Sequence, residues 1–337
     1  MYVALPPIAF GLIFFEISRT VVSTYSAAVV LFLIAVLATK DDVEQARGLD
    51  KFVALANLSF ALPLAVFGAE HFAAARGIMQ GVPKFMPWPL FWTYFVGTAL
   101  VAASLSIATK ILVHWSGLLF GIMMFLFVVM MDLPGTLANV HNRISWVLMF
   151  RELSFGAGGW MLAAAAMDGR PTKGAKALIT FGQLVIGIGA VLYGVQNFLH
   201  PLNAPGVPLE KMIPTWIPAR LLIGYLTSAI LFVAGLCIVL TRKARMAATY
   251  LGSWIFVLVV FVYGPILIAS LLTPSTEVKV EGINYFFDTL LYAGTVLGLA
   301  SALARHDEVQ FSLSMNAGRE VDHTRDTVGS MHSGAVR

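Results

Sequence analysis

Residues 219–241 read ARLLIGYLTSAILFVAGLCIVLT, and past Arg220 the stretch carries no charged side chain. About 20 consecutive apolar residues, wound as a helix, match the ~30 Å hydrocarbon core of a bilayer. Runs of the same kind recur at about 20–39, 52–70, 88–109, 114–132, 146–166, 178–198, 247–271 and 285–304. The pattern predicts an all-α integral membrane protein with about nine transmembrane helices. Composition agrees: 58% of the 337 residues are hydrophobic and 12% are charged, where soluble domains carry about 25% charged residues. That balance excludes a soluble enzyme. The lone cysteine, Cys237, sits inside an apolar run, which excludes a disulfide framework, a CxxC redox pair and a cysteine-based metal site within the chain.

Outward from the spans, the loops set a direction. The net charge of +4 and the pI near 9.2 reflect loop charges that orient a membrane protein, not an affinity for nucleic acid. One set of loops holds Lys40, Arg47, Lys51, Lys110, Arg170, Lys173, Lys176, Arg242, Lys243, Arg245 and the four arginines from Arg305 onward, 14 in all. The opposite set holds six: Arg76, Lys84, Arg143, Lys211, Arg220 and Lys279. Basic loops stay cytoplasmic, so the expected topology in the cell (cytoplasmic or inner) membrane has the N-terminus outside and the C-terminus inside. Residues 305–337, rich in Ser, Gly, Asp and Arg, read as a disordered cytoplasmic tail. The stretch 5–19 is apolar but carries Glu16 and Arg19; it reads as an amphipathic lead-in or as an extension of the first span. No basic segment precedes it, so no cleaved signal peptide is expected.

The chain also repeats itself. GAEHF (Gly68–Phe72) corresponds to GVQNF (Gly194–Phe198) at an offset of 126, and VPKFMP (Val82–Pro87) to IPTWIP (Ile213–Pro218) at 131. At the same offset of 131, Tyr94 meets Tyr225, Gly121 meets Gly252 and Pro134 meets Pro265. Ala157–Gly159 meets Ala293–Thr295 at 136, which sets Glu152 opposite Asp288. An offset that grows in the loops is how a duplication behaves. The expected domains are an N-terminal segment 1–51, a first four-helix unit 52–166, a second unit 178–304, and the tail. Four spans return the chain to its starting side, so the units run parallel, unlike the inverted repeats of many secondary transporters.

The HF ending of a first helix, the PxxxP loop, the DLPG motif (Asp132–Gly135), and a last helix with Trp146, Gly158 and Gly159 resemble the DoxX family of four-helix membrane proteins. The likeness covers most of 52–166 and, more weakly, 178–304; the duplication and the extra N-terminal span depart from the family's usual single unit. It implies an integral membrane subunit or anchor of a redox-associated complex, holding quinone or lipid near the outer leaflet. Its expected partners are the lipid bilayer and other membrane or extracytoplasmic redox proteins.

Independently of that likeness, the ionisable residues gather at one end. Glu70 and His71 end the first helix of the first unit, Asp132 ends its third, and Arg151 and Glu152 lie ~9 Å into its fourth at roughly 1.5 Å per residue. Charges within a bilayer cost about 2.5–3.5 kcal/mol each at its centre and tend to be paired or functional. These five are the candidate ligand-binding residues. The second unit has neutral Gln196, Asn197 and Tyr263 in the matching places and keeps only the acid, Asp288. The plainer reading is that helix ends carry charges routinely and long side chains there snorkel into headgroups. Arg151 and Glu152 diverge by about 100° around their helix, so different partners are expected for them. If the site is a redox site, His71 would pass protons with Asp132 or Glu152, since histidine titrates nearest neutral pH. His141 and His200 read as solvated loop residues, and His114 lies at the other membrane face. No haem, metal, phosphate-loop or nucleophile motif is present, so no catalytic residue is assigned. Pro83, Pro87, Pro214 and Pro218, with Trp88 and Trp216, read as interfacial anchors or as lids over a lateral opening. Two alternatives stand beside the redox role: a non-enzymatic transporter or lipid-handling protein, and a structural subunit of a larger complex.

Overall fold

The computed structural model describes residues 19–167, 172–207, 210–241 and 243–333, all of it helix and connecting loop with no strand beyond an isolated Asn203–Met212 bridge. The stretch 5–18 lies outside the described residues. The long helices are α1 (Arg19–Gln45), α2 (Ala56–Ala73), α3 (Pro89–Thr109), α4 (Val113–Ala138), α5 (Arg143–Ala165), α6 (Lys173–Leu199), α7 (Arg220–Val239), α8 (Ala244–Leu271) and α9 (Thr276–Ser333). Among the described residues, α3, α4, α6, α7, α8 and the Thr276–Arg305 part of α9 are each long and apolar enough to cross a membrane. A seventh is α2 taken with Ala75–Gly81, to which it is joined at an 89° bend. The chain is a multi-pass membrane protein.

Local sequence explains the helix ends and breaks. Asn142 accepts a hydrogen bond from the Ile144 amide at 3.0 Å to start α5, and Thr172 accepts from Ala175 at 3.1 Å to start α6. Both α4 and α8 widen to a π-helical turn, at Val128–Asp132 and Val259–Tyr263. Each π turn is followed within two residues by a proline, Pro134 or Pro265. A proline lacks the amide that would close the α turn and its ring crowds the carbonyl four residues back, so the helix relaxes by widening. Left-handed residues recur too: Trp88 and Ala219, Lys110 and Thr241, Leu112 and Lys243. Each pair is separated by 131 residues.

Helix α2 packs along α3, α4 along α5, α6 along α7 and α8 along α9. Cross-contacts α2–α9, α5–α6 and α5–α9 join the two sets of helices. Small residues permit the approach: a Cβ on Gly117 would lie 2.4 Å from the Gly159 carbonyl, and one on Gly235 2.8 Å from that of Gly187. The core runs along α9, where Tyr292, Ala293, Val296, Leu297, Leu299 and Ala300 are fully buried.

Where the composition predicts a disordered tail from 305, α9 continues as helix to Ser333. From Thr276 to Ser333 the chain contains no proline, so nothing in its covalent structure stops the helix at the end of the apolar run.

Candidate functional site

A cavity of about 610 Å³ opens at the end of the bundle where α2, α4, α5 and the start of α9 meet. Its inner wall is apolar, built from Leu64, Phe67, Leu100, Phe120, Met124 and Phe155. Its other end is polar, and every residue singled out from sequence lies there: Glu70, His71, Asp132, Arg151, Glu152 and Asp288. Asp288 belongs to the second set of helices, yet it joins the other five because α9 packs against both α2 and α5.

Arg151 organises the polar end. Its Nε and Nη2 donate to Glu152 Oε1 at 3.2 and 2.8 Å, and its Nη1 donates to Asp288 Oδ2 at 2.8 Å. The three side chains are only 14–19% exposed. This corrects the expectation that Arg151 and Glu152 use different partners. Their Cα–Cβ directions do diverge, but the arginine is long enough to fold back onto its neighbour while one nitrogen reaches α9.

The remaining groups mostly accept. His71 Nδ1 donates to the Phe67 carbonyl at 2.7 Å, which leaves Nε2 of the neutral ring as an acceptor. Glu70, 8% exposed, faces the Asn284 amide, which, turned so that its nitrogen meets the acid, donates to its two oxygens at 3.0 and 3.1 Å. Asp132, the last residue of the π turn, has its Oδ2 buried without a hydrogen-bond partner among the described residues. At the mouth, Glu281 pairs with Lys211 at 2.5 Å, and the Tyr285 hydroxyl accepts from the Lys211 amide at 3.2 Å.

Sequence reading missed Glu277, Glu281, Asn284 and Tyr285, which also line the cavity. Their signal was present: 277, 281, 284 and 288 recur at helical spacing, one face of α9. His141 and His200 are exposed, and His114 Nδ1 lies 3.3 Å from the Ala163 carbonyl, far along α5 from the cavity.

The matching end of the second set is filled. Tyr263 ends the second π turn, is 1% exposed, and donates its hydroxyl to the Pro205 carbonyl at 2.5 Å. Ala204, Val207, Ile213 and Ile217 from the same loop are buried beside it. A cleft of about 20 Å³ remains there.

Long apolar helices around one amphipathic cavity define the class: a polytopic membrane protein with an internal ligand-sized site. No family model, curated protein or solved structure matches this chain.

Proposed function

We propose that the chain is a tandem DoxX-like membrane protein of nine spans that binds quinone or lipid in the cavity as the membrane subunit of a redox-associated assembly. The observation that carries the ligand is the cavity itself, with an apolar wall of aromatic and methionine side chains and a polar end built on Arg151, Glu152 and Asp288. Such a shape suits a molecule with an apolar body and a polar head. Backbone recurrence supports the duplication: π turns, following prolines and three pairs of left-handed residues all repeat at 131 residues. Loop charge favours the topology with the N-terminus outside, which puts the cavity at the outer leaflet. In the redox role, electrons come from a partner's sulfur or thiol donor, and His71 with Asp132 or Glu152 supplies or collects the protons.

A second reading, lipid handling without redox chemistry, is favoured by a smaller apolar chamber. It adjoins the cavity beneath the loop that carries Pro83 and Met86. Gentle extraction of the native protein, followed by quinone and lipid analysis and mass spectrometry of co-purifying proteins, separates the two. Bound quinone and a stoichiometric redox partner are expected, and both should be lost in the His71→Ala/Glu152→Gln double variant. A lone protein retaining one lipid class would favour lipid handling, and ligand content indifferent to the double variant would remove the cavity from either role.

A further inference from the structure

The cavity and the smaller chamber are neighbours that share a wall. The chamber, about 230 Å³, lies between α3 and α4 beneath the Ile78–Met86 segment. Four residues line both: His71, Val96, Phe127 and Met131. Beyond them the chamber is almost wholly apolar, walled by Met86, Trp92, Met123 and Met130. Phe95 and Leu126, which line it, are 52% and 48% exposed and belong to an apolar surface that a bilayer would cover. Methionines have three rotatable bonds and a polarisable sulfur, and they accommodate chains of varied shape. The polar cavity and the apolar chamber therefore lie on either side of His71, Val96, Phe127 and Met131.

The polar end also shows which heads it suits. Arg151 is the cation among the cavity's lining groups, and three of its five N–H groups, one on each nitrogen, are engaged by Glu152 and Asp288. Asn284 donates to Glu70, and His71 donates to a backbone carbonyl. What remains unspent is mostly acceptor capacity, most plainly the buried and unpartnered Oδ2 of Asp132. Six carboxyl groups, Glu70, Asp132, Glu152, Glu277, Glu281 and Asp288, line the cavity with one guanidinium. An anionic head would meet six carboxyl groups set against one cation, whereas a head bearing N–H or O–H groups finds acceptors.

We infer that the ligand is a chain-bearing amphiphile whose head donates hydrogen bonds, with the head against Asp132 and the chain leaving through the methionine-lined chamber between α3 and α4. The inference rests on the ligand-binding reading above and narrows it. A protonated amine and a hydroquinone share this chemistry, and lipids with anionic heads do not.

The test uses the full-length protein in zwitterionic nanodiscs, with thermal unfolding and native mass spectrometry as readouts. The probes are dodecylamine, dodecylhydroquinone, dodecanoate and hexylamine. The amine or the hydroquinone should bind about tenfold or more tightly than dodecanoate; which of the two wins identifies a cationic or a neutral donor. Asp132→Asn should erase most of that preference. Met123→Trp, which narrows the chamber, should weaken the dodecyl probes and leave hexylamine unchanged; Leu126→Trp in the same lining repeats the test should the first variant fold poorly. Dodecanoate binding as tightly as dodecylamine would overturn the head assignment while leaving a ligand cavity in place. Equal loss of short and long chains in both tryptophan variants would overturn the chain route. Binding of none of the four probes would overturn the ligand-binding reading as well.

Discussion

Two ends of the same bundle, one at α2–α5 and the other at α6–α9, share a backbone plan and differ in what fills it. Each has a π turn followed by a proline, but the turn ends in Asp132 in the first and in Tyr263 in the second. Asp132 faces a cavity of about 610 Å³; around Tyr263 about 20 Å³ remains. The connecting loop makes the difference. The offset between the halves grows from 126 to 131 across it, so the second loop is five residues longer. Within the lengthened stretch Ala204 and Val207 are buried, as are Ile213 and Ile217 just after it. In the first half the corresponding loop leaves Phe85 71% and Trp88 76% exposed. A widened, proline-terminated helix makes room, and side chains decide whether the room is a site or a plug.

The largest break in this comparison is expected at Arg151. Arg151→Met leaves Glu152 and Asp288 buried without their cation and should cost about 3–5 kcal/mol of stability. It is read as a large fall in the unfolding midpoint in detergent. Adding Glu152→Gln and Asp288→Asn to the same chain should recover most of the loss. No recovery would mean that Arg151 matters for packing and not for charge. A smaller effect is expected in the filled half. Tyr263→Phe strands the Pro205 carbonyl and should cost about 1–3 kcal/mol, with no change in ligand content. If ligand content falls with it, the second half is not merely a plug.

Much of this was legible in the residues and some was not. The long apolar helices followed from apolar runs bounded by prolines and charges, and six of the polar residues that line the cavity followed from charges inside or at the ends of those runs. Their convergence was only partly legible. Asp288 reads from sequence as the counterpart of Glu152 in a separate unit, and only the packing of α9 against α2 and α5 brings it to Arg151. Long-range helix pairing leaves no mark at any single position. Side-chain length defeated the angular argument for Arg151 and Glu152, because Cβ directions do not fix where a guanidinium ends. The Lys211–Glu281 pair was beyond sequence for the same reason as Asp288, since a loop and a helix 70 residues apart meet only in the fold.

Asn197 offers the finest probe of whether the second half is filled. Its counterpart His71 finds a carbonyl four residues back at 2.7 Å, but Asn197 is 1% exposed with both amide atoms unpartnered among the described residues. A buried amide without partners is a standing cost, and replacing it with an apolar group of similar volume should be neutral or stabilising by up to about 1 kcal/mol. Asn197→Leu should therefore hold or raise the unfolding midpoint, with ligand content unchanged. A fall equivalent to about 2 kcal/mol would mean that water satisfies the amide. The second half would then hold a small wet pocket where the packing now reads as closed, and the contrast with the first would be one of size, not of kind.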